Sequence, residues 1–179
     1  LGLISRWRVA ELQDATATLA FSDNTGQSTR LAAVRTLGDL GKDETKRLAK
    51  LVGSDTPSEL RIAGLESLAR LNLPEAAALG AGMIGNGQAV DEVLQTFLNR
   101  ETGGDALTTA LAKVRIGKAP ATTALARLQS IGSSEARLME HLGKVAGVKN
   151  NVPTYSAKYV SSLAKAAAGA DAANGKLMF

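Results

Sequence analysis

Two stretches decide the fold: RLAAVRTLGDLG at residues 30–41 and RIAGLESLARLN at residues 61–72. In the first, Leu31, Val34, Leu37 and Leu40 recur so as to cover one face of a helix, and in the second Ile62, Leu65, Leu68 and Leu71 do the same. Each stretch opens on an arginine, Arg30 or Arg61, followed two residues on by an alanine, Ala32 or Ala63. The second copy lies 31 residues after the first, and the key leucines continue as Leu37, Leu68, Leu98 and Leu128, at intervals of 31, 30 and 30. A constant interval of this length is the mark of a helical repeat, in which one supersecondary unit recurs and stacks on its neighbours.

Working outward, shorter second helices fit between these first helices. Gly41 follows Leu40 as a glycine able to close a helix. Asp43 can cap a helix over 44–52 that ends at Gly53. Thr56-Pro57 reads as a cap and first helical residue, and Leu73-Pro74 restarts the chain in the same manner. Gly103-Gly104 and Ile131-Gly132 punctuate the later units, with Ser133 or Ser134 capping the last second helix. The pattern predicts helix pairs over about 28–52, 57–84, 88–114 and 120–146, with a leading helix over about 3–20. The third unit is the least regular, because Glu92 and Gln95 stand where the first two units place apolar residues. Only Val93, Leu94, Phe97 and Leu98 keep a buried stripe there.

Composition agrees with an all-α protein. Aromatic residues are only 3% of the 179, against 45% hydrophobic, so the core must be built from Leu, Ala, Val and Ile. No run of eighteen or more uncharged apolar residues occurs, so no membrane span is expected. No signal peptide is read at the start, and Leu1 lies inside a helical pattern, which suggests a fragment of something longer. The absence of cysteine removes disulfides, thiolate metal sites and covalent haem attachment from these residues. The net charge of +4 is placed unevenly: residues 1–90 carry ten basic and ten acidic side chains, residues 91–179 eleven and seven. So small an excess is an ordinary solvated surface, and nucleic acid is the disfavoured partner.

The two best units resemble HEAT repeats. They pair Ser22-Asp23 in a loop with Arg30 of the next helix, and Ser54-Asp55 with Arg61. The resemblance implies a HEAT/armadillo-like superhelix of about four helix pairs plus a leading helix and a C-terminal helical tail. It also implies that Asp23, Arg30, Asp55 and Arg61 form a structural ladder, while the leucine spacing itself makes Leu37, Leu68, Leu98 and Leu128 equivalent core positions. The ladder should stop there, because Glu92 and Thr122 fall near the later arginine positions.

The repeats are expected over 1–147, a connector and one helix over 148–168, and a different element over 169–179. In that last stretch Asp171, Gly175 and Phe179 are similar to the opening of class I c-type cytochromes, where such residues precede the haem-attachment Cys-x-x-Cys-His. Repeats, connector, helix and cytochrome start follow the order of large multidomain proteins of planctomycetes and verrucomicrobia that end in a haem-binding domain. Residues 124–138 also look like their last helix pair. The resemblance implies a non-catalytic scaffold that positions an adjoining haem c domain in an electron-transfer protein. It implies no cofactor within the 179 residues, haem c beyond Phe179, and an extracytoplasmic location. The other reading is a stand-alone repeat module that binds another protein.

Other candidates are few. Lys42, Lys46 and Lys50 recur every four residues with Arg47 beside them, a candidate interaction patch or a plain solvated face. His141, the only histidine, lacks companions for a metal site or a triad. Asp43-Glu44 and Asp91-Glu92 sit at helix starts, where carboxylates offset the helix dipole. Trp7 is expected to cover the open end of the stack. The glycines at 80, 82, 85 and 87 are not followed by Lys-Ser/Thr and do not form a phosphate loop.

Overall fold

A computed structural model of the protein describes residues 12–41, 44–148, 160–162 and 164–165. The chain divides into two compact units, Leu1–Val148 and Lys149–Phe179. All regular structure among the described residues is helical. In the first unit the helices are α1 (Gln13–Phe21), α2 (Gln27–Leu40), α3 (Thr45–Gly53), α4 (Ser58–Leu71) and α5 (Leu73–Gly85). They continue with α6 (Val90–Leu98), α7 (Gly103–Leu111), α8 (Lys118–Ser130) and α9 (Ala136–Ala146). In the second unit the described residues, 160–162 and 164–165, are helical.

The helices of the first unit form two layers. One holds α2, α4, α6 and α8, each packed on the next, and the other holds α3, α5, α7 and α9 in the same manner. Between the layers lies a core of aliphatic side chains, among them Leu37, Leu48, Leu65, Leu68, Leu107, Leu128 and Leu138, none of them exposed to solvent. Alanines such as Ala33, Ala63, Ala76, Ala121 and Ala124 are also buried, which lets helix axes approach closely. α3 shows how the pattern sets orientation: Leu48, Leu51 and Val52 are buried while Lys46, Arg47 and Lys50 face solvent.

The observed ends depart from the expected ones in detail. Glu44 occupies the cap position of α3, and Asp43, the expected cap, lies outside the described residues. α4 begins at Ser58, with Pro57 as its cap residue rather than its first residue. Asn72 caps α5, its side chain accepting from the Glu75 amide at 3.3 Å. Ser133 Oγ accepts from the Glu135 amide at 3.3 Å just before α9. The expected pair over 28–52 is not a packed hairpin. α2 and α3 scarcely touch, and α3 packs instead on α4. The connection leaves α2 through Gly41 at φ 151°, ψ −177°, backbone that side-chain-bearing residues rarely adopt. Of the leading helix expected over about 3–20, the described part is helical as α1, and Trp7 and residues 1–11 lie outside the described residues.

The third unit carries a correction. Leu37, Leu68 and Leu128 are fully buried, whereas Leu98 is only partly buried against the core. Phe97 takes the enclosed position in α6. It fits because Gly80 of α5 carries no side chain: a Cβ there would lie 2.8 Å from the Phe97 ring. An aromatic ring against a glycine fills the space that leucine fills in the other units.

Candidate functional site

The most built-up surface feature lies where α1, α2 and α3 meet. Helix α1 ends at Phe21 with carbonyls that have no partner of their own. Arg30, near the start of α2, reaches back and donates Nε–H to the Ala20 carbonyl at 3.3 Å. Its Nη1 pairs with Asp23 at 3.1 Å, with the guanidinium largely buried and the carboxylate fully in solvent. Arg30 and Asp23 line a cavity of about 450 Å³ together with Phe21, Arg47, Lys50, Leu51, Ser54 and Thr56.

Arg47 is held by two carboxylates, Glu44 at 3.4 Å and Asp14 at 3.8 Å. Glu44 is buried; its Oε1 also accepts from Gln13 Nε2 at 2.8 Å, and its Oε2 has no hydrogen-bond partner among the described residues. Lys50 has no ion-pair partner among the described residues and leaves the cavity with an uncommitted positive charge. Ser54 Oγ donates to the Leu51 carbonyl at 2.7 Å, and no imidazole lines the cavity. These groups can receive an acidic side chain; they do not form a nucleophile–base pair. Of the lysine patch, Arg47 and Lys50 line the cavity, Lys46 is exposed outside its lining, and Lys42 lies outside the described residues.

One unit later the same device recurs with a change. Arg61 donates Nε–H to the Val52 carbonyl at 3.0 Å, closing α3 as Arg30 closes α1. Its Nη2, however, donates to Gln88 Oε1 at 3.0 Å. No ion pair joins Arg61 to Asp55, although both line a second cavity of about 350 Å³. The expected Asp–Arg ladder therefore has one rung, Asp23–Arg30, among the described residues. In place of the other rung, the neutral amide of Gln88 takes the Arg61 guanidinium.

A different ladder, which the sequence reading did not pick out, joins the first helices. Ser67 Oγ, buried in α4, donates to the Val34 carbonyl of α2 at 3.1 Å. Arg70 Nη2 donates to the Arg35 carbonyl at 3.1 Å, and Arg100 Nη2 donates to the Glu66 carbonyl at 3.3 Å. Arg70 and Arg100 are 30 residues apart and their acceptors 31, the repeat interval itself. That spacing was the signal available in the sequence. Further along, Arg127 of α8 pairs with Asp91 of α6 at 3.5 Å.

The remaining candidates stay apart from these features. His141 lies in α9 with its Nε2 buried and without a hydrogen-bond partner among the described residues. No group of three or more His, Cys, Asp or Glu side chains placed to hold a metal ion occurs among the described residues. Residues 80–85 belong to α5 and the following two residues to the turn after it. Asp171, Gly175 and Phe179 lie outside the described residues. The chain has no cysteine, so its residues do not fit covalent attachment of a c-type haem. Among the described residues no helix is long and apolar enough to cross a membrane. No family model, no curated protein and no solved structure matches the chain.

Proposed function

We propose that the chain is a HEAT-like scaffold whose work is geometric: it holds an adjoining haem c domain at a set place relative to the rest of an extracytoplasmic electron-transfer protein, without catalytic turnover or cofactor of its own. The observation that supports this reading best is the ladder between successive first helices, Ser67 and Arg70 to α2 and Arg100 to α4. Hydrogen bonds that cross from unit to unit at the repeat interval stiffen a stack built mainly on aliphatic contacts. The haem half of the proposal rests on the cytochrome-like residues Asp171, Gly175 and Phe179 of the tail.

The test compares the 179-residue chain with the natural chain continued past Phe179. The shorter protein should purify without haem absorbance, and the longer one should stain for covalent haem. Inserting one 31-residue unit into the longer protein should disturb electron delivery while haem attachment persists. A 179-residue protein that retains stoichiometric haem or metal, or turns over a substrate, overturns the proposal, as does a continuation with no Cys-x-x-Cys-His. The cavity holding Arg30, Arg47 and Lys50 favours one other reading, a stand-alone module that receives an acidic segment of a partner protein. That reading gains if the continuation carries no haem and a partner binds with a strong dependence on salt.

A further inference from the structure

Another polar pocket, of about 300 Å³, lies between α4 and α6 and is lined by Glu66, Arg70, Gln95, Thr96, Asn99 and Arg100. Its two arginines are anchored from behind. Arg70 places Nε 3.5 Å from Asp39 Oδ1, and its Nη2 donates to the Arg35 carbonyl and, at 3.2 Å, to Ser67 Oγ. Arg100 donates Nη2–H to the Glu66 carbonyl. Both arginines sit at or just past helix C-termini, where bonds to carbonyls and an interaction with the helix dipole are sufficient reason for a cation.

That structural role accounts for the Nη2 groups, and Asp39 answers Arg70 Nε, which leaves Nη1 of both arginines and Nε of Arg100. Arg100 Nε is closed off from solvent with no acceptor among the described residues. Nη1 of each arginine makes no hydrogen bond among the described residues. Desolvation is the largest influence on Arg100 and lowers its pKa, and the Arg70 charge lowers it further against an opposing pull from Glu66. A guanidinium stays charged at neutral pH regardless, so these N–H groups call for an anion rather than for loss of a proton. The exposed amide side chains of Gln95 and Asn99, both in the wall and without a hydrogen bond among the described residues, add neutral donors. Thr96 Oγ1 is already committed, donating to the Glu92 carbonyl at 2.8 Å.

We propose that this pocket is a carboxylate site: the Nη1 groups of Arg70 and Arg100, with the amides of Gln95 and Asn99, receive a single carboxylate. Glu66 in the wall selects the monoanion. A phosphate dianion would meet the Glu66 charge across a pocket of about 300 Å³, while a carboxylate brings one charge to two guanidiniums already part-neutralised by Asp39 and Glu66. The carboxylate has two sources, a small free acid or the side chain of a partner's Asp or Glu. The site stands on its own geometry and does not depend on the scaffold reading.

The experiment is a titration of the 179-residue protein, followed by NMR of the Arg Nε–H groups and the Asn and Gln side-chain amides. The probes are sodium acetate, inorganic phosphate and an end-blocked peptide holding one Glu, at matched ionic strength. Saturable shifts at Arg100 and Asn99 with acetate identify a free small acid as sufficient; shifts with the peptide alone identify a side chain presented by a protein. Arg100→Gln should weaken binding about tenfold, the scale of one charge-assisted hydrogen bond. Asn99→Ala, at an exposed position, should weaken it severalfold with an unchanged unfolding midpoint, so the site is tested even if Arg100→Gln disturbs folding. Glu66→Gln should tighten binding. No saturable shift with acetate or peptide, a stronger response to phosphate than to acetate, or shifts that survive Asn99→Ala and are unmoved by Glu66→Gln, overturns the assignment.

Discussion

Adding one methyl group at Gly38 should destabilise the protein, although residue preferences for helices say the opposite. Gly38 lies inside α2, where replacing glycine by alanine ordinarily gains about 0.5–1 kcal/mol by reducing the freedom of the unfolded chain. The packing of α2 on α4 reverses this. A Cβ at Gly38 would lie 2.6 Å from Ser67 Cβ, 2.9 Å from Ser67 Cα and 2.6 Å from Arg70 Nη2. Arginine can move aside; the Ser67 backbone cannot, so the two helices must separate. Overpacking of this kind costs about 1–3 kcal/mol. Separation also strains the Ser67–Val34 and Arg70–Arg35 hydrogen bonds, each contributing about 0.5–1.5 kcal/mol. The net expectation is a loss of about 1–2 kcal/mol for Gly38→Ala. Gly82 supplies the control, because it lies inside α5 and a Cβ there meets nothing within 4 Å. Gly82→Ala should stabilise by about 0.5–1 kcal/mol. Urea unfolding followed by far-UV circular dichroism measures both, with equal m-values required for the comparison. If Gly38→Ala unfolds at the same or a higher urea concentration than the parent protein, the close α2–α4 contact is wrong.

Two further outcomes follow from the same packing and surface. Leu68 is fully buried, so Leu68→Ala should cost about 2–5 kcal/mol in the same urea assay, whereas Lys46→Ala, on the solvent face of α3, should stay within about 0.5 kcal/mol. The Glu140 carboxyl is held below its ordinary pKa, first by a hydrogen bond from Lys144 at 2.7 Å and then by the Lys144 charge. A carboxylate depressed in the folded state adds stability above its unfolded pKa and loses it as pH falls through the folded one. An NMR titration should therefore place the Glu140 midpoint below that of a free glutamate, and Lys144→Ala should return it; a midpoint unchanged by that substitution contradicts the pair.

Much of the first unit was legible because helical packing is written in period and interval. The apolar faces of 30–41 and 61–72 place α2 and α4, and the glycines and prolines between units place the breaks to within a few residues. Periodicity says which face of a helix is buried, but it does not say against what. That α3 leans on α4 rather than on α2, and that Phe97 rather than Leu98 fills the core of α6, depend on distances between helices far apart in the chain. The polar contacts were hardest to read for the same reason. Asp23–Arg30 and Asp55–Arg61 look alike along the chain, yet only the first pair forms, since Gln88 reaches Arg61 from 27 residues away. Arg70 and Arg100 carry the repeat interval in plain view, but their shared pocket exists only once α4 and α6 lie side by side. The sequence alone determined the helices, their order and their buried faces, because local backbone preference and side-chain period are properties of neighbours in the chain. Only the tertiary structure decided which charges meet, because a hydrogen bond is won or lost within about 0.5 Å, a precision that no spacing encodes.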